Sequence, residues 1–73
     1  MDKHDVLEYL AQAGESDATE AAAAFDVPFP TAAMALLRLL RQGLVARFVN
    51  PERGTYWYRL SPRGHARLKY FHS

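Results

Sequence analysis

Apolar residues recur along the chain at three- and four-residue spacing as far as Gly43, then switch to alternation. The clearest run is Pro28 to Val45, PFPTAAMALLRLLRQGLV. At about 100° per residue, Ala32, Leu36, Leu39 and Gly43 fall on one side, with Ala35 and Leu40 at its margins. That side is long enough to dock on a core. The opposite side carries Pro30, Met34, Leu37, Arg38 and Arg41, and it is the side left over to read a partner. The pattern predicts one helix over 30–42, stopped by Gly43.

Upstream, Val6, Leu7, Leu10 and Ala13 form a stripe at helical spacing, with Asp2 placed to cap the helix and Gly14 to stop it. Glu15 and Ser16 read as a short extended link, enough for one bridge to a sheet edge. Asp17-Ala-Thr-Glu20 has capping-box spacing and opens a second helix, 18–25, made almost wholly of alanine. Alanine buries little area, but it lets two helix backbones come close. Asp26 follows where a tight turn wants a residue tolerant of the left-handed region. Each proline in Val27-Pro28-Phe29-Pro30 pushes its predecessor out of the helical region, while Pro30 suits the first turn of the next helix. A short helix, a turn of about four residues and a second helix follow from local chemistry. This is the helix-turn-helix arrangement, whose second helix is presented to the major groove.

Beyond Gly43, Leu44–Val49 and Thr55–Leu60 are β-branched and aromatic-rich, and 50–54 is turn chemistry. They predict a hairpin over 44–60. Tyr56, Tyr58 and Leu60 share one face of its second strand; Leu60 should point to the core, which puts Trp57 outside. Ser61-Pro62 then opens a last short helix carrying Ala66, Leu68 and Phe71, with Lys69 and His72 at the end where positive charge suits the dipole. The fold class is α+β, mainly α: three helices, a hairpin and a closing helix in one domain, 1–73.

Composition sharpens this picture in three places. A domain this small buries only ~60% of its extended-chain surface, so the 49% hydrophobic content must come into the core from every element. Cysteine is absent, which removes disulfides, thiolate zinc sites and thiol nucleophiles. His4, His65 and His72 lack metal-ligand spacing, and there is no Gly-rich phosphate loop or activated serine. No enzyme, metal or cofactor is expected. Neither a signal peptide nor an apolar run near ~20 residues is present, so the expected setting is cytoplasmic, away from membranes.

The net charge of +1 hides a division. Residues 1–36 carry seven acids and one base, a net of −6; residues 37–73 carry eight bases and one acid, a net of +7. Such asymmetry points to a polyanionic partner for the basic half. Seven of its eight bases are Arg, which forks onto phosphate and guanine edges.

The residues also carry a resemblance. DATEAAAAFDVPFPTAAMALLRLLRQGLVAR is similar to the core signature of MarR-type and PadR-type bacterial regulators, with Thr31, Leu36, Leu39, Gly43, Leu44 and Val45 at the signature positions. Tyr58 to Leu68, YRLSPRGHARL, looks like the motif that closes many such domains. The resemblance spans 5–71 and implies a winged helix-turn-helix fold, with the hairpin as wing. It departs on the outward helix face, where those regulators usually place Ser, Arg, Gln or Asn. Phe29, Ala33, Met34 and Leu37 stand there instead, and at best they touch thymine methyls.

Two readings result. In the first, the chain binds double-stranded DNA as a small regulator or accessory factor. Arg38 and Arg41 grip phosphates, Met34 lies between them and the helix start, and the N-terminus at Thr31 offers backbone N–H groups. Arg53 at the hairpin tip, with Arg47 and Arg59 behind it, reaches the flanking groove. In the second, the frame is a protein-interaction or homodimer module that docks through Phe29, Leu37 and Trp57. Pairing of Arg38 and Arg41 with Glu20 and its neighbours would disable the first reading.

Overall fold

The computed structural model describes residues 1–72, with side chains as far as Tyr70. Its elements in chain order are α1 (Lys3–Ala13), β1 (Ser16–Asp17), α2 (Ala18–Phe25), α3 (Phe29–Arg41), β2 (Val45–Val49), β3 (Tyr56–Leu60) and α4 (Pro62–His72). The strands form one antiparallel sheet in the order β1-β3-β2. β3 is therefore its central strand.

Helix ends follow the expected chemistry with small shifts. Asp2 caps α1 by backbone position alone, without a side-chain bond, and Gly14 ends the helix at φ 84°. Asp17 Oδ1 accepts the Glu20 N–H at 2.7 Å, closing one arm of the capping box. Asp26 takes the left-handed conformation at φ 53°, and the Val27 N–H returns to the Ala22 carbonyl at 3.0 Å. The axis then turns by 114° into α3, within the range for a helix-turn-helix pair. α3 starts at Phe29 and ends at Arg41, one residue earlier at each end than the prolines and Gly43 suggest. Gly43 does supply the exit: at φ 73° it lets the Leu44 N–H bond back to the Leu39 carbonyl at 3.0 Å.

One core takes a contribution from every helix and from the two hairpin strands. Val6, Leu7 and Leu10 of α1 meet Ala21 of α2, Ala32, Leu36 and Leu39 of α3, Leu44 and Val45, Tyr58 and Leu60 of β3, and Leu68 of α4. The expected side of α3 is the buried one. Ala13 instead is exposed, because α1 ends just as the chain leaves the core. The expected placement of Phe71 and of the His72 charge lies outside the described side chains.

β1 covers Ser16–Asp17 rather than Glu15–Ser16, pairing Ser16 with Tyr58 and Asp17 with Trp57. Buried Ser16 donates its Oγ–H to the Asp17 carbonyl at 2.8 Å. A serine hydroxyl has one proton, so the Tyr9 hydroxyl 2.8 Å away is the donor in their shared bond. The Tyr9 ring meets Phe25 edge-on, with centroids 5.4 Å apart. Tyr9 thus fastens the first helix to both the sheet edge and the second helix.

Ser61 performs the same task at the other end. Its Oγ donates to the Gly43 carbonyl at 2.6 Å and accepts the Gly64 N–H at 3.0 Å. Its backbone N–H bonds the Leu44 carbonyl at 3.1 Å. One residue caps α4 and pins it to the α3–β2 junction. Ser61→Ala should lower stability by about 1–2 kcal/mol, the usual cost of losing an N-cap, as measured by chemical unfolding. An unchanged midpoint would show the cap bond to be idle.

Candidate nucleic-acid interface

Along α3 the outward face is open. Thr31, Met34, Arg38 and Arg41 are all exposed, Met34 at 45%. Among the described residues neither arginine forms an ion pair, and Glu20 does not reach them. Arg38 sits at the margin nearest α1, beside a hollow it shares with Met1, Lys3 and Gln42. Arg41 lies in the last turn, where a cation also complements the helix dipole. Leu37 is half-buried.

The hairpin holds its arginines on aromatic rings. The tip, 50–54, is an Asx turn: Asn50 Oδ1 accepts the Glu52 N–H at 2.9 Å, and Gly54 takes φ 66°. Register pairs Val45 with Leu60, Arg47 with Tyr58 and Val49 with Tyr56 on one face, and Ala46 with Arg59 and Phe48 with Trp57 on the other. The Arg47 guanidinium lies 4.1 Å from the Tyr56 ring centre. Arg59 stands 5.3 Å from that of Phe48, and Arg53 5.4 Å from that of Trp57. Stacking of this kind holds a guanidinium in place while its in-plane N–H groups stay available for phosphate oxygens. The expected basic wing exists, but its arginines divide between the two hairpin faces. Arg47 is on the core-side face, with Arg53 and Arg59 over rings of the other.

The hairpin departs from its alternation pattern in what is covered. Trp57, which the pattern puts outside, is only 7% exposed. Alternation assigns it correctly to the face opposite Leu60. That face is nonetheless covered at this point, because β3 is flanked by strands on both edges, Phe48 opposes Trp57 and Arg53 lies over its ring. Its indole N–H has no partner among the described residues. Trp57 cannot serve as a docking residue in this arrangement. Tyr56 shares the face of Tyr58 and core-facing Leu60, as the alternation predicts, yet it is 52% exposed. The period-2 face is right, but the pair next to the tip, Val49 and Tyr56, projects past the helices that cover Tyr58 and Leu60.

Tyr56 also lines the space between wing and helix. A cleft of about 280 Å³ lies between the hairpin and the starts of α2 and α3. Phe29 and Ala33 line it from α3, Asp17 from the end of β1, Thr19 from α2, and Tyr56 and Tyr58 from β3. Phe29 is 56% exposed, so it packs neither under the hairpin nor under α1. Nothing in the residue pattern gave this cleft, since it depends on where a 114° turn and a hairpin meet.

Among the described residues no group of His, Asp and Glu is placed to hold a metal ion. No single helix is long and apolar enough to cross a membrane.

Comparison with solved structures agrees with this architecture. YusO from Bacillus subtilis superimposes with a TM-score of 0.86 at 24% identity, over 92% of this chain and 48% of its own. A mutant MarR from E. coli, solved in complex with operator DNA, gives 0.90 at 24% identity, over 96% and 51%. A probable transcriptional regulator from Pseudomonas aeruginosa gives 0.84 at 25% identity, over 92% and 52%. The chain spans about half the length of these proteins. The fold is the winged helix-turn-helix of MarR-type regulators. No curated protein sequence matches the chain. The profile of the IclR helix-turn-helix domain matches residues 4–47, which run from the first turn of α1 into β2. On that match, the chain belongs to the IclR helix-turn-helix domain family.

Proposed function

We propose that this domain binds duplex DNA, as a small transcriptional regulator or accessory factor, through the outward face of α3 and the arginines of the hairpin. One observation carries the reading: Arg38 and Arg41 stand exposed on the presented helix, with no acidic partner among the described residues. The E. coli MarR relative solved with operator DNA supports the same use of the fold. The helix start does not offer the free amides expected there, since the Thr31 and Ala32 N–H groups already bond the Pro28 carbonyl at 3.0 and 3.2 Å and Pro30 has none; exposed Thr31 meets the DNA backbone through its hydroxyl. Met34 lies between that start and the arginines, and it offers van der Waals contact rather than donors. Arg47, Arg53 and Arg59 extend the contact along the backbone. Because phosphate contacts dominate such a set, affinity varies little with sequence. The domain 1–73 acts in the cytoplasm without a cofactor or chemistry of its own.

The test is a titration of the chain with a short mixed-sequence duplex at several salt concentrations, followed by amide shifts. Each neutralised phosphate contributes about −0.9 to the slope of log K against log salt. Five engaged arginines would give roughly −4.5, and the shifts should trace α3 and the hairpin. Absence of binding at low salt would sink the reading.

The runner-up, a protein-interaction or homodimer module, is favoured by the exposure of Phe29 and Met34. It is separated by salt-tolerant association that Leu37→Asp abolishes.

A further inference from the structure

The cleft between α3 and the hairpin differs from the rest of the proposed interface. Two of its exposed lining residues are rings, Phe29 from the helix and Tyr56 from the strand. The Arg47 guanidinium covers one face of Tyr56 at 4.1 Å. The only acid lining it, Asp17, is buried, and its carboxylate accepts the Glu20 N–H. At about 280 Å³ the cleft lies near the lower end of ligand-pocket sizes, roughly 300 Å³. That is the scale of one planar ring system, not of a helix or a peptide.

Ring walls beside a stacked arginine suit a particular occupant. A base inside a duplex has both faces covered by its neighbours and offers nothing to an aromatic wall. A base out of the stack exposes its faces, and aromatic side chains bind it in a sequence-tolerant way while cations hold its phosphates. We propose that this cleft accepts an unpaired nucleobase, so that the chain favours duplex DNA carrying a short single-stranded segment over fully paired DNA. The inference rests on the nucleic-acid reading above and names the form of nucleic acid that the site prefers. Phe29 and Tyr56 supply the stacking surfaces, and Arg47 both orients Tyr56 and neutralises the adjoining phosphate.

The experiment is fluorescence anisotropy at one salt concentration with three labelled DNAs of equal phosphate number: a blunt duplex, a duplex ending in an unpaired overhang, and a single strand. The overhang duplex should bind about ten-fold tighter than the blunt one, the effect of one stacked base. Phe29→Ala and Tyr56→Ala should each lower the ratio of overhang to blunt-duplex affinity towards one; Tyr56→Phe, which keeps the ring under Arg47, should retain it. Both rings are more than half exposed, so matching thermal unfolding is expected of all three variants. Equal affinity for overhang and blunt duplexes overturns the inference and leaves the duplex reading standing. A preference that survives the combined Phe29→Ala and Tyr56→Ala change also overturns it. Overhang binding that depends on both rings, with no blunt-duplex binding at all, supports the cleft and removes the duplex reading.

Discussion

Replacing Arg38 and Arg41 together by alanine should flatten the salt dependence of duplex binding by about 1.8 log units per log unit of salt. At 0.1 M salt the same change should weaken binding by roughly 10- to 100-fold. The argument is one of counterions. Each guanidinium that meets a phosphate releases a condensed cation, and the released cations are what salt opposes. Exposure alone would not justify so large an effect, since many surface arginines are merely solvated. What singles these two out is the combination of place and partners. They stand on the outward half of the presented helix, and among the described residues no carboxylate neutralises them. Because both side chains lie outside the core, the double variant should stay folded, with only the small loss that follows removal of cations from the last helical turn. An unchanged slope with intact folding would mean that the helix does not face the phosphates. Loss of Arg53 or Arg59 should flatten the slope by about 0.9 each, because stacking at 5.3–5.4 Å leaves their N–H groups available for phosphate.

Gly64→Ala should destabilise the fold by about 2–4 kcal/mol, the range for forcing atoms into a packed site. The sign is the informative part. Gly64 lies in the first turn of α4 with ordinary helical backbone, and a helix normally gains about 1 kcal/mol when glycine becomes alanine. Here an added Cβ would overlap the Leu44 carbonyl oxygen and press on Leu60 Cδ2 at 3.2 Å. The obstacle is backbone, and that carbonyl is already held by the Ser61 N–H. Neither partner can swing away as a long side chain would. α4 would have to retreat from the α3–β2 junction, taking Leu68 with it and loosening the start of the hairpin. Chemical unfolding of the variant decides the matter: a gain in stability would refute the close approach of α4 to Leu44. A loss accompanied by weaker duplex binding would show that this approach also sets where the hairpin stands.

Much of the fold was legible because its signals are local. Pro28 and Pro30 dictate a break and a helix start through sterics that act within two residues. Gly14, Asp26 and Gly43 occupy positive-φ positions that residue type alone suggests. The buried side of α3 follows from the 3.6 period, and the hairpin from alternation around an Asn-Pro-Glu-Arg-Gly turn. The arginine division between chain halves was equally plain, and it led to α3 and the hairpin. The enclosure of Trp57 and the exposure of Tyr56 escape the sequence for a shared reason. Period-2 alternation says which face a residue is on but not whether that face is covered there, and coverage is set by neighbours distant in sequence.

The order of residues by itself thus determined the element types, their ends, the apolar stripe of α3 and the concentration of cations in the second half. Those outcomes depend on backbone sterics and periodicity, which a short segment carries wherever it is placed. Only the tertiary structure decided that β3 is central and Trp57 enclosed, that Tyr56 projects beside Phe29 to wall a cleft, and that α4 presses Gly64 onto the Leu44 carbonyl. Those depend on the angle and distance at which separate elements meet, and no single stretch of the chain encodes them alone.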